Sequence, residues 1–93
     1  MSEKTATALA KLDELLPLLR ALPDDPESST LVETAEALRR AVAAFHMEAI
    51  RFRMYSVDRL IAKNGHSDCA RIFGEVRHAL EAAGFHTRSH TAP

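Results

Sequence analysis

The chain has 93 residues, with 12 Lys+Arg against 13 Asp+Glu, one cysteine, three glycines and four prolines. This is one short domain. So few turn residues exclude an all-β sandwich or barrel, and a lone cysteine excludes an internal disulfide framework and fits a reducing compartment. No run approaches the ~18 apolar residues of a membrane span, and the opening segment carries acids where a signal peptide has none, so a cytoplasmic helical domain is expected.

The first helix is expected from about Lys4 to about Leu22. Leu9, Leu12, Leu16 and Leu19 recur at alternating spacings of three and four, which places them on one face, and Leu15 and Leu22 widen it. Pro17 falls on the opposite side, where its missing N–H and its ring bend a helix around a core. Residues Pro23 to Ser29 form a connection. Thr30 followed three residues later by Glu33 is a capping-box pattern and starts the second helix near Leu31, with Asp25-Pro26 as an alternative start one turn earlier.

No Gly or Pro lies between Leu31 and Lys63. The second helix is therefore predicted to run unbroken over 31–63, about 50 Å at ~1.5 Å per residue. Asn64-Gly65 ends it, with Gly65 in the left-handed conformation. The third helix opens at Ser67 with Asp68 on its dipole. Cys69, Ile72, Phe73, Val76, Leu80 and Ala83 make its apolar face. Gly84 stops it, and Phe85 is placed for a Schellman contact against Leu80. Residues 1–85 thus form a single helical domain, and 86–93 a mobile polar tail.

The fold class read from this pattern is all-α: three helices, a long central one flanked by two shorter antiparallel ones. That shape is elongated and open. Along the central helix one apolar stripe runs through Leu31, Ala35, Leu38, Val42, Phe45, Ala49, Phe52 and Leu60. A second, about 100° away, holds Met47, Ile50, Met54, Val57 and Ile61. One flanking helix covers one stripe. The second would stay wet and is read as a homodimer interface that completes a bundle. The competing reading has the third helix covering both.

Charge is unevenly spread. Residues 1–48 hold five basic and nine acidic groups, and residues 49–93 seven basic and four acidic. Such a chain can self-associate or bind another protein, whereas a duplex-DNA binder is normally more basic overall. Arg53 lies between the two stripes with His46 two turns upstream. The pair is read either as the lining of a pocket for a carboxylate or phosphate, or as a partner in an intersubunit salt bridge. Cys69, in the first turn of the third helix with His66 three residues before it, has the surroundings of a reactive thiol or metal ligand, yet it also continues an apolar stripe. Glu75 and His78 have a di-metal carboxylate spacing but fall opposite the apolar face.

No phosphate loop, Cys-x-x-Cys or nucleophile motif is present, and no cofactor is implied. The expected role is that of a small cytoplasmic interaction or adaptor protein without catalysis, binding itself and another protein, with no membrane or nucleic-acid role. The alternative is a ligand- or metal-responsive regulator using His46 and Arg53, or Cys69 and His66.

Overall fold

The structure, a computed structural model, describes residues 5–64 and 67–85. It contains four helices where three were expected: α1 (Ala6–Arg20), α2 (Pro26–Ala43), α3 (Met47–Asn64) and α4 (Ser67–Ala82). The expected central helix is broken at Ala44, Phe45 and His46. Phe45 takes φ +59°, the left-handed position usually given to glycine. Its N–H donates to the Val42 carbonyl at 3.1 Å, and the His46 N–H donates to the Ala41 carbonyl at 3.0 Å. This is a Schellman pair, and it satisfies two of the carbonyls that α2 leaves open at its end. His46 then opens α3. Its carbonyl accepts the Ile50 N–H at 2.9 Å and its Nδ1 accepts the Ala49 N–H at 3.3 Å.

Magnitudes explain why the chain turns here. A left-handed non-glycine residue costs about 1–2 kcal/mol. The turn folds α3 back along α2 and takes Ile50, Met54, Val57 and Ile61 to 0–3% exposure. Each such side chain contributes roughly 1.5–3 kcal/mol on burial. Burial wins by a wide margin. The stripe read as a dimer interface is therefore interior to a single chain, and only Met47 of that set remains exposed. The wet stripe that called for a second copy does not exist.

The four helices close a ring, α1 on α2, α2 on α3, α3 on α4 and α4 back on α1. The short connections make this an up-down-up-down bundle. Its extents are 34 × 32 × 19 Å, too short for a 33-residue helix of about 50 Å. The expected elongated, open shape is corrected to a closed one. Each seam carries an ion pair: Asp13–Arg39 at 2.7 Å between α1 and α2, Glu27–Lys63 at 2.6 Å between α2 and α3, Asp58–Arg77 at 3.2 Å between α3 and α4, and Lys11–Glu75 at 2.9 Å between α4 and α1. The three pairs other than Asp58–Arg77, whose arginine is buried, are solvent-accessible and contribute little stability each, about 0–1 kcal/mol, but like charges across a seam would disfavour wrong neighbours.

The remaining elements follow their local signals. Leu9, Leu12, Leu15, Leu16 and Leu19 of α1 are buried, Leu22 is half-buried, and Pro17 faces out from within the helix. In α2 the start lies at Pro26 and not near Leu31. The Asp25 carboxylate accepts the Ser28 N–H at 2.8 Å, and Pro26 occupies the first turn, where no N–H is needed. Thr30 instead donates its hydroxyl to the Pro26 carbonyl inside that turn. In α4 the predicted face is buried from Cys69 to Leu80. Gly84 has φ +97°, and the Phe85 N–H donates to the Leu80 carbonyl at 2.9 Å, as the Schellman reading requires. The Phe85 ring is buried and meets Phe45 edge-on, centroids 5.1 Å apart. The two Schellman ends therefore lock together. The role of Gly65 and the tail 86–93 lie outside the described residues. Among the described residues no strand occurs, and no helix is long and apolar enough to cross a membrane.

Ile50→Ala is expected to lower unfolding free energy by about 2–5 kcal/mol, as for a core aliphatic, measured by urea denaturation. A loss below about 0.5 kcal/mol, the range of surface changes, would return Ile50 to the surface.

Candidate interaction surface

With the inner stripe of α3 taken up by the core, its opposite face is turned outward. Glu48, Phe52, Tyr55 and Arg59 follow one another at spacings of four, three and four, opposite Ile50, Met54, Val57 and Ile61 at about 100° per residue. Phe52 is 59% exposed, and Phe45 and Met47, at the α2–α3 corner, are 49% and 45% exposed. Glu48, Arg51, Phe52 and Tyr55 line a shallow groove of about 510 Å³ on this face. Arg53 lays its guanidinium over the Phe52 ring at 5.2 Å, and Arg59 does the same over Tyr55 at 5.6 Å. Among the described residues, Arg51, Arg53, Arg59 and Glu48 have no ion-pair partner. Exposed aromatics, methionine and arginine, with little charge pairing among them, are the composition of an interface centre.

The sequence-predicted site residues fare differently. His46 is exposed at the corner, where its ring caps α3. Arg53 is half-buried and stacked on Phe52. Neither of the two lines the groove on the outer face of α3. The buried arginine that meets an acid is Arg77, which is 9% exposed, paired with Asp58 and stacked over Phe73 at 5.4 Å. The signal for it was available: Arg77 adjoins Val76 and lies four residues after Phe73, at the border of the apolar face of α4.

Cys69 is buried. Burial first, and the neighbouring Asp68 carboxylate second, push its thiol above the ordinary range, against the lowering expected from the helix dipole. It is a core side chain. His66 lies outside the described residues. Among the described residues no three His, Cys, Asp or Glu side chains are grouped to hold a metal ion.

A second groove, about 610 Å³, runs between α1 and α4 over the small residues Gly74, Ala79, Ala82 and Ala83. Glu75 does not simply face solvent here. It is half-buried and sits 2.9 Å from Lys11 of α1, with Arg71 at 3.5 Å. The Lys11 approach to Oε1 is close but poorly directed for a hydrogen bond, so it acts mainly as an ion pair. Lys11 holds the Glu75 carboxyl below its usual range, and Glu75 holds the Lys11 ammonium above its own. The charges lining this groove thus satisfy one another.

No family model matches the chain, and neither a curated protein nor a solved structure shows significant similarity to it.

Two outcomes test these assignments. Native Cys69 should react with a disulfide reagent far more slowly than the urea-unfolded chain, and equal rates would remove it from the core. The Lys11–Glu75 seam should strengthen the fold above the ordinary carboxylate range, because a depressed carboxyl pKa favours the folded state there. That contribution is lost as pH falls through the lowered value. The urea midpoint of Glu75→Gln should therefore fall less in acid than that of the unsubstituted chain, and parallel curves would show the seam to be inert.

Proposed function

We propose that this chain is a small cytoplasmic interaction protein that works by presenting the outer face of α3 and carries no catalysis of its own. The supporting observation is the group of exposed large apolar side chains at Phe45, Met47 and Phe52, beside arginines that have no acid to pair with among the described residues. A bundle that takes Leu12, Leu15, Leu19, Leu31, Leu38 and Leu80 to 0–1% exposure gains nothing in its own stability from leaving two phenylalanines half in water. Their exposure is explained by a partner that covers them.

The groups best suited to chemistry are occupied by structure. His46 caps a helix, Cys69 fills the core, and Lys11 and Glu75 neutralise each other across a seam. A reducing compartment suits a lone buried thiol.

The test is site-specific photocrosslinking in cells that make the protein. A benzophenone side chain replaces Phe52 in one version and exposed Ala10 of α1 in the other. Discrete adducts at position 52 and none at position 10 are expected. The same pattern, or none, at both positions would end the proposal.

A further inference from the structure

The outer stripe of α3 has a property that narrows what covers it. Ordered along the helix it reads Glu48, Phe52, Tyr55, Arg59: acid, aromatic, aromatic, base. The stripe is symmetric in spacing about the midpoint between Phe52 and Tyr55. Turned end for end, it sets an acid against a base and an aromatic against an aromatic. We propose that the face docks on the same face of a second copy of this chain, the two α3 helices antiparallel about a two-fold axis at that midpoint. This inference rests on the reading of α3 as the binding surface.

In that arrangement Phe52 of each copy faces Tyr55 of the other, which gathers four rings at the axis. Glu48 of each copy faces Arg59 of the other, so the two charged pairs flank the rings. Among the described residues Glu48 and Arg59 have no ion-pair partner within the chain, although every helix seam is bridged by such a pair. Charge complementarity is thus satisfied between copies and not within one. A two-fold axis makes each contact twice from one patch, which is why self-complementary stripes favour dimers. At 100° per residue Arg51 lies roughly 70° from the centre of the stripe and Arg53 roughly 130°, so Arg51 flanks the contact and Arg53 stays outside it. The groove lined by Glu48, Arg51, Phe52 and Tyr55 offers the concavity in which a facing aromatic ring sits.

Solution mass by light scattering, from micromolar to millimolar protein, provides the test. The unsubstituted chain should pass from one chain to two as concentration rises. Glu48→Arg leaves a base at both ends of the stripe, and Arg59→Glu leaves an acid at both ends. Each variant alone should lose dimer affinity by about tenfold or more, the size of effect seen when close charge pairs are reversed. Mixed in equal amounts, the two should form a heterodimer with affinity restored. The base introduced at position 48 of one variant then meets the acid introduced at position 59 of the other, and the Arg59 and Glu48 that remain meet each other.

Both positions are exposed, and circular dichroism with thermal melts shows whether the variants stay folded. If Glu48→Arg proves unstable through loss of its favourable place in the first turn of α3, Glu48→Gln with Arg59→Gln reads the same pair without reversal. Four outcomes overturn the inference. They are one-chain mass at millimolar concentration, single variants that dimerise like the unsubstituted chain, a mixture that fails to recover, and a monomer that captures a labelled acidic peptide or oligonucleotide through Arg51 and Arg59. A crosslink from position 52 to a different protein, with a monomeric purified chain, would keep the interaction reading and reject the second copy.

Discussion

The reversal at Phe45 is the constraint on which the rest of the molecule depends. One residue with φ +59° converts what would be a rod into two helices that lie side by side. Without it the stripe of Ile50, Met54, Val57 and Ile61 would have no cover within the chain. With it that stripe joins Leu31, Ala35, Leu38 and Val42 in one core. The unfavourable backbone geometry is offset many times over by the apolar area it allows the chain to bury. Phe45 also contributes on its own account, since its ring meets Phe85 at the end of α4. The corner between α2 and α3 and the C-terminal end of α4 are thus held together by two Schellman turns in contact.

That same reversal decides where the free surface lies. Once the inner stripe of α3 faces α2 and the core, the opposite stripe must face solvent, because a helix has only one circumference to divide. What remains outside is unusual for a solvent face. It holds Phe52 and Tyr55 with arginines stacked upon them. Across the seams, surface charges are engaged by Asp13 with Arg39, Glu27 with Lys63, Asp58 with Arg77 and Lys11 with Glu75. Those pairs help specify which helices are neighbours. On the proposed interaction surface Glu48, Arg51, Arg53 and Arg59 have no such pair among the described residues.

Much of this was legible residue by residue. The leucine spacing of α1, the Ser67 opening of α4, its face from Cys69 to Leu80 and the Gly84–Phe85 ending all appear where their local patterns place them. The break between α2 and α3 was not, because the left-handed position carries phenylalanine in place of the usual glycine. One trace of it did exist in the chain. The appearance from Met47 onward of a second stripe, about 100° from the one that starts at Leu31, is what a break looks like when two helices are written as one. Read as a single helix, the same shift implied an uncovered face and a dimer through the wrong residues. Arg53 was read as lining a pocket for a carboxylate or phosphate or as joining an intersubunit salt bridge, while the buried arginine that meets an acid is Arg77, at the border of the α4 face.

By itself, then, the sequence determined helical content, the ends of α4, those of α1 within two residues, the end of α3 and the apolar face of each helix, since these follow from spacing and capping within a few residues. The tertiary structure decided that the long segment folds back, that the bundle closes, and that the outer face of α3 is the one left exposed. Those outcomes hinge on a local penalty at Phe45 outweighed by contacts between residues far apart in the chain. Local patterns carry the penalty, and only the packed bundle carries the compensation.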